Sequence, residues 1–128
     1  MINNDFINAA FSSYEKAMIP TVTVSADENP DYSTNPGNAT QDQVFLLSIT
    51  EANKYFYSNG AMRCKPTDYA VANGARQSGN GNCWWWLRSP GYTHYYAANV
   101  YGVVYENGYV VYNDNSAVRP AMWIDLNS

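Results

Sequence analysis

Between positions 92 and 115 the chain concentrates side chains suited to making contacts rather than breaking bonds. Seven are tyrosines (Tyr92, Tyr95, Tyr96, Tyr101, Tyr105, Tyr109 and Tyr112) and four are asparagines (Asn99, Asn107, Asn113 and Asn115). With His94 and Asp114 they make 13 of the 24 residues. Tyr offers a large amphipathic contact area at little entropic cost, and Asn adds adaptable hydrogen bonding; antibody combining loops use the same mixture. The residues between them, among them Ala97, Ala98, Val100, Gly102, Val103, Val104, Gly108, Val110 and Val111, are small or β-branched and suit strands. The segment therefore reads as a contact surface mounted on a strand scaffold. Its candidate ligand-binding residues are Tyr92, His94, Tyr95, Tyr96, Asn99, Tyr101, Tyr105, Asn107, Tyr109, Tyr112, Asn113 and Asn115. Half-buried tyrosines on a sheet face need no ligand, but the uniform chemistry of the polar partners favours display. Tyr, His, Asn and Asp also share codons with adenine second and a pyrimidine third, the set that asparagine codons altered at their adenines would produce.

Catalytic and metal chemistry find little support. His94 is the only histidine, and a general base needs a nucleophile or an orienting carboxylate close by; its place among the tyrosines points to binding. Cys64 and Cys83 form no Cys-x-x-Cys motif and read as buried thiols or a bridge. No four-ligand zinc spacing is present. Of the oxygen-rich sequences a lectin-type calcium site needs, only Tyr112-Asn113-Asp114 comes near, although Asp114 suits a cationic ligand group. No enzyme activity, cofactor or metal is expected. A net charge of −4, with seven Lys and Arg and no basic run, argues against nucleic acid as a partner. No stretch reaches the roughly 20 apolar residues that span a bilayer. The first residues lack the basic and apolar regions of a signal peptide; the cytoplasm is the default compartment, and a virion or cell surface is also compatible.

The elements that must position these residues can be read from periodicity. Phe6, Ile7, Ala10, Phe11, Tyr14, Ala17 and Met18 give one apolar stripe and predict a helix over 4–19 stopped by Pro20. Residues 21–24 read as a short strand, 26–41 as a loop, and Val44-Phe45-Leu46-Leu47 as a buried strand. Ser48 and Glu51 form a capping box opening a helix over about 50–58, ended by Asn59-Gly60. Another short helix begins at Pro66-Thr67-Asp68 and closes near Asn73-Gly74, and residues 77–82 form a flexible loop. Residues 84–88 read as a strand, with Trp84 and Trp86 in the core and Trp85 the one tryptophan with a claim on the surface. Strands at 100–104 and 109–112 are expected to flank a turn at Glu106-Asn107-Gly108, with Met122-Trp123-Ile124 as a closing strand. Arg88 and Arg119 read as fixed partners of Glu51, Asp68 or backbone carbonyls. Gly91 and Gly108 read as turn requirements. The class is α+β, one domain over 1–128.

Several blocks carry a family resemblance: Val44-Phe45-Leu46-Leu47-Ser48, Glu51, Cys64-Lys65-Pro66-Thr67-Asp68-Tyr69-Ala70, Trp84-Trp85-Trp86-Leu87-Arg88-Ser89-Pro90-Gly91, and Val118-Arg119-Pro120-Ala121-Met122-Trp123-Ile124. Together they resemble a bacterial family of domains of unknown function that is similar to formylglycine-generating-enzyme and C-type-lectin-like folds. The resemblance covers most of the chain and implies a C-type-lectin-like fold of short helices on a small antiparallel sheet with long loops. The Tyr/Asn pattern between the last two blocks looks like the variable region, here 84–128, of the target protein of a diversity-generating retroelement. That implies a non-catalytic receptor or display domain of phage or bacterial origin, with a protein or glycan as ligand. The family's strand before the first helix is not in this chain, which begins at the helix, so an open edge would favour self-association. The alternatives are a formylglycine-generating-type domain, whose metal-binding cysteine pair finds no match here, and an interaction module with one fixed partner.

Overall fold

The computed structural model describes residues 2–127, which fall into two compact units. The first comprises the N-terminal residues up to Ala26, residues Gly37–Phe45 and the C-terminal stretch from Pro120. The periodic stripe does form helix, but in pieces: a π-helical turn Ile2–Phe6, α1 Ile7–Ala10 and α2 Ser13–Lys16. The expected single helix over 4–19 breaks because Phe11 is extended and Ser12 opens a new turn. The Ser12 hydroxyl accepts from Glu15 N–H, and the Glu15 carboxylate accepts from Ser12 N–H. Ile7, Ile19 and Val44 form the small core of this unit, with Phe6, Phe11 and Met122 against it. Strands β1 Val22–Val24 and β2 Thr40–Asp42 pair antiparallel with Val22 opposite Asp42.

Val44-Phe45-Leu46-Leu47 is not a strand. Phe45 forms an isolated antiparallel bridge, exchanging both backbone bonds with Ala121 (3.0 and 2.8 Å). The Leu46 and Leu47 carbonyls instead accept from the Arg88 side chain and backbone. The expected closing strand at 122–124 is likewise absent, and Trp123 is exposed.

The second unit, Asp27–Pro36 and Leu46–Arg119, carries the larger core. Its helices are short and individually capped: α3 Ile49–Tyr55 by the Ser48–Glu51 box, α4 Asn59–Met62 by Ser58, and α5 Asp68–Ala72 by Thr67. Ser58-Asn59-Gly60 thus starts a helical turn where the sequence reading had a helix end. The sheet runs β3 Trp85–Pro90, β4 Tyr96–Tyr101 and β5 Val103–Val110, all antiparallel and in that spatial order. Trp85, Leu87, Ala98 and Val100 point to one side and pack with Ile49, Ala52 and Met62. Such large buried side chains supply most of the driving force, roughly 1.5–3 kcal/mol each.

Trp85, not Trp84 or Trp86, is the core tryptophan: it is fully buried, its indole N–H donates to Met62 O at 2.9 Å, and Phe56 meets its ring edge-on. The chain reverses at Gly102 (φ +70°), where Tyr101 pairs with Val103, so Glu106-Asn107-Gly108 lies inside β5 as a bulge. Gly108 (φ +69°) fits there because a Cβ would collide with the Ala97 carbonyl.

Candidate functional site

Alternation along the strands sends every second side chain away from the core. On that outer face lie Trp84, just before β3, Trp86 of β3, Asn99 and Tyr101 of β4, and Val103, Tyr105, Asn107 and Tyr109 of β5. Trp84 stacks on Tyr101 (centroids 5.0 Å, 22°) and meets Tyr105 at 4.8 Å. These rings fix one another, since aromatic contacts of this kind add roughly 0.5–1.5 kcal/mol beyond burial.

After β5 the chain turns through Tyr112 and Asn113, and Asn115 N–H donates to the Asn113 side chain at 2.8 Å. It then crosses to the free edge of β3, where Ala117 pairs alongside Trp85 through bonds to Trp84 O and from Trp86 N–H. That crossing lies against the segment after α5, with Arg76 N–H donating to Asn115 O at 2.9 Å. Between them opens a cleft of about 660 Å³. Its walls are Arg76, Gln77, Ser78 and Gly79 on one side, Asn113, Asn115 and Ser116 on another, with Trp84, Tyr101 and Tyr109 from the sheet. The Tyr101 hydroxyl lies 2.5 Å from Ser78 Oγ and donates to Asn80 Oδ1 at 3.1 Å, tying the loop to the sheet. Arg76 is exposed and is the one charged residue in the lining.

Nine of the twelve sequence candidates fall into two neighbourhoods, Asn107 and Tyr112 stand apart on the surface, and Asn99 is an exception. Tyr101, Tyr105, Tyr109, Asn113 and Asn115 gather around the cleft and the Trp84 stack. Tyr92, His94, Tyr95 and Tyr96 cluster around the β3–β4 turn: Tyr92 packs on Tyr96 (4.5 Å) and Tyr32 (6.2 Å), and His94 on Tyr95 (3.9 Å). Hydrogen bonding from Tyr92, then its charge, holds the Tyr96 phenol above its ordinary value. Asn107 is exposed in the β5 bulge and its carbonyl accepts from Tyr92 N–H, while Tyr112 is 82% exposed. Asn99 departs from the expected display. It is only 4% exposed, between Trp86 and Tyr105 in the register, and its Oδ1 has no hydrogen-bond partner among the described residues.

The sequence does not single out Arg76, nor Gln77, Ser78 and Gly79 in the expected loop 77–82, and it places Trp84 in the core. The Trp84–Trp86 alternation is the one signal for Trp84, and its phase is the reverse of the expected one.

The frame below this face is held by charge and amide contacts. Arg88 makes a two-pronged pair with Glu51, reaches Asp27 at 3.3 Å and donates to Leu46 O at 2.9 Å. Burial pushes the Glu51 carboxyl up, but hydrogen bonds from Arg88 and Ser48 together with the guanidinium charge hold it below its ordinary value. Arg119 lies over Phe56 (4.5 Å) and Trp85 (5.1 Å), so both arginines serve the frame. Buried Asn29 donates to Pro90 O and Glu106 O (2.8 and 2.7 Å), fastening the 27–36 loop to β3 and the β5 bulge.

Among the described residues no group of His, Cys, Asp and Glu is placed to hold a metal, and no helix is long and apolar enough to cross a membrane. These features define a small α+β domain with short helices and two antiparallel sheets, the larger one bearing an aromatic outer face. The chain belongs to the family described as Domain of unknown function (DUF6273), whose model matches residues 2–126. No curated protein and no solved structure matches it.

Proposed function

We propose that this domain is a non-catalytic ligand-binding module of C-type-lectin-like type, whose Tyr/Asn-rich face over 92–115 is diversified as the target of a diversity-generating retroelement. The observation that carries the reading is the separation of frame from face. Ala98, Val100, Trp85 and Leu87 are buried, whereas all the candidate contact residues except Asn99 reach the surface at least in part. A face built this way can change its side chains without disturbing the core beneath. The cleft adds residue types that suit an acceptor-bearing ligand group: Arg76, Tyr109 and Asn115 line it beside the aromatic residues Trp84 and Tyr101. A protein or a glycan can present such a group.

The deciding experiment is sequencing of the gene's surroundings and of sibling copies. A near-copy of codons 84–128 carrying adenines at the Tyr, Asn, His and Asp positions, beside a reverse-transcriptase gene, is the expected finding. Sibling genes that keep these tyrosines constant, with no such copy, would replace the diversified module by an interaction module with one fixed partner.

A further inference from the structure

The two cysteines take no part in the proposed contact face, yet their placement is specific. Cys64 and Cys83 oppose each other as an antiparallel bridge pair. Cys83 N–H donates to Cys64 O at 2.8 Å, and the Cys83 thiol lies 3.3 Å from the same carbonyl. Directly opposed antiparallel residues have Cα atoms about 4.5–5.5 Å apart, inside the window of about 4.4–6.8 Å that a disulfide spans. Both thiols are free; Cys83 is buried against Ala75 and Ala117, and Cys64 packs half-buried beside it. The residues they bracket, 65–82, contain α5 and the Arg76–Gly79 wall of the cleft.

We propose that Cys64 and Cys83 are a disulfide-forming pair whose oxidation pins both ends of the segment that builds one wall of the cleft. A low-molecular-weight disulfide such as oxidised glutathione is the oxidant. The half-exposed Cys64 thiolate attacks one of its sulfurs, forming a mixed disulfide and releasing one glutathione thiolate. The Cys83 thiolate then attacks the Cys64 sulfur, forming the Cys64–Cys83 bond and releasing the second. The two cysteine protons end on the two glutathione thiols, so the protein is oxidised by two electrons and the glutathione reduced by two. The second step needs the Cys83 thiolate and therefore depends on pH. Burial, then the charge and hydrogen bond of Cys64, raise the Cys83 thiol to about 11, with Arg119 opposing them. Arg119 acts on the Cys83 thiol as a cation, Lys65 follows Cys64 in the chain, and Ala70, Ala75 and Ala117 pack against the pair. Closure therefore quickens by about tenfold for each unit by which the pH is raised, as long as it stays below that value.

The test treats the reduced full chain with oxidised glutathione, quenches with acid, and follows intact mass and peptide maps. The expected course is a transient glutathione adduct on Cys64 that clears faster at about pH 9 than at about pH 7, giving a monomer lighter by two hydrogens with Cys64 joined to Cys83. The oxidised protein should show slower amide exchange over 65–82 and a Tm higher by roughly 5–10 °C. Cys83→Ala should keep the adduct on Cys64 indefinitely; the wild-type time course decides alone if that variant does not fold. The proposal is overturned if the wild-type adduct persists at both pH values. Bonding between separate molecules, or thiols that react only in denaturant, overturns it equally.

Discussion

The two faces of the three-stranded sheet spend the same residue types in opposite ways. On the inner face Trp85, Leu87 and Val100 are buried to within 1% and lock onto α3 and α4. On the outer face Trp84 and Tyr101 stack with each other while Tyr105 and Tyr109 remain exposed. Trp84 and Trp85 are neighbours in the chain, and only the direction of the pleat separates a residue that holds the fold from one that lines a cleft. The lesson is that aromatic content alone says nothing about role; the phase of the strand does.

The largest expected effect breaks the inner face. Trp85→Ala removes the ring, its bond to Met62 O and the surface under Arg119, and should destabilise the protein by about 3–5 kcal/mol. Trp84→Ala loses two aromatic contacts at a partly open site and should cost about 1–2 kcal/mol. Urea denaturation of both variants checks this. Equal losses would mean that both faces are structural, and the comparison would fail.

That phase was not legible in the sequence. Three consecutive tryptophans announce a strand and its alternation, but which of them enters the core is set by β4, whose Ala98 and Val100 lie across from β3. The same limit misplaced the hairpin. Asn107-Gly108 is a good local turn signal, yet both Gly102 and Gly108 adopt positive φ. The long-range approach of Gly108 to Ala97 makes one a reversal and the other a bulge. Local chemistry was legible where it was sufficient, as in the Ser48–Glu51 capping box. The same box at Ser12–Glu15 was overlooked because an unbroken apolar stripe ran through it. Of the site, the sheet's tyrosines could be named from composition. The Arg76–Gly79 wall could not, because the Cys64–Cys83 and Trp84–Ala117 pairings bring it into place from a distance.

A smaller effect sharpens the comparison through the frame that both faces share. Glu51→Gln leaves the Arg88 guanidinium, 16% exposed, with Asp27 but without its two-pronged carboxylate partner and should cost about 1–3 kcal/mol at neutral pH. Glu51 titrates below its ordinary value of 4.5 in the folded protein. Its contribution is therefore complete above the unfolded pKa and disappears as pH falls through the folded one. Stability measured from about pH 7 down to about pH 3 should fall more steeply for the wild type than for Glu51→Gln, the two curves converging in acid. Parallel curves would show that the pair contributes nothing pH-dependent.

The smallest expected effect is the one on which the display reading depends. Tyr109 is 50% exposed and Tyr112 82% exposed, and among the described residues Tyr112 makes no ring contact like that of Trp84 with Tyr101. Replacing either by Ser removes contact area from the surface and nothing from the core, so stability should shift by no more than about 0.5 kcal/mol. Both side chains also act electrostatically on the Tyr96 phenol, so the double variant tests their coupling: shifts that add within about 0.5 kcal/mol mark two independent surface positions. If either substitution instead costs as much as Trp84→Ala, that tyrosine belongs to the frame. A face that cannot exchange its tyrosines without loosening the sheet could not be diversified, whatever the codons allow.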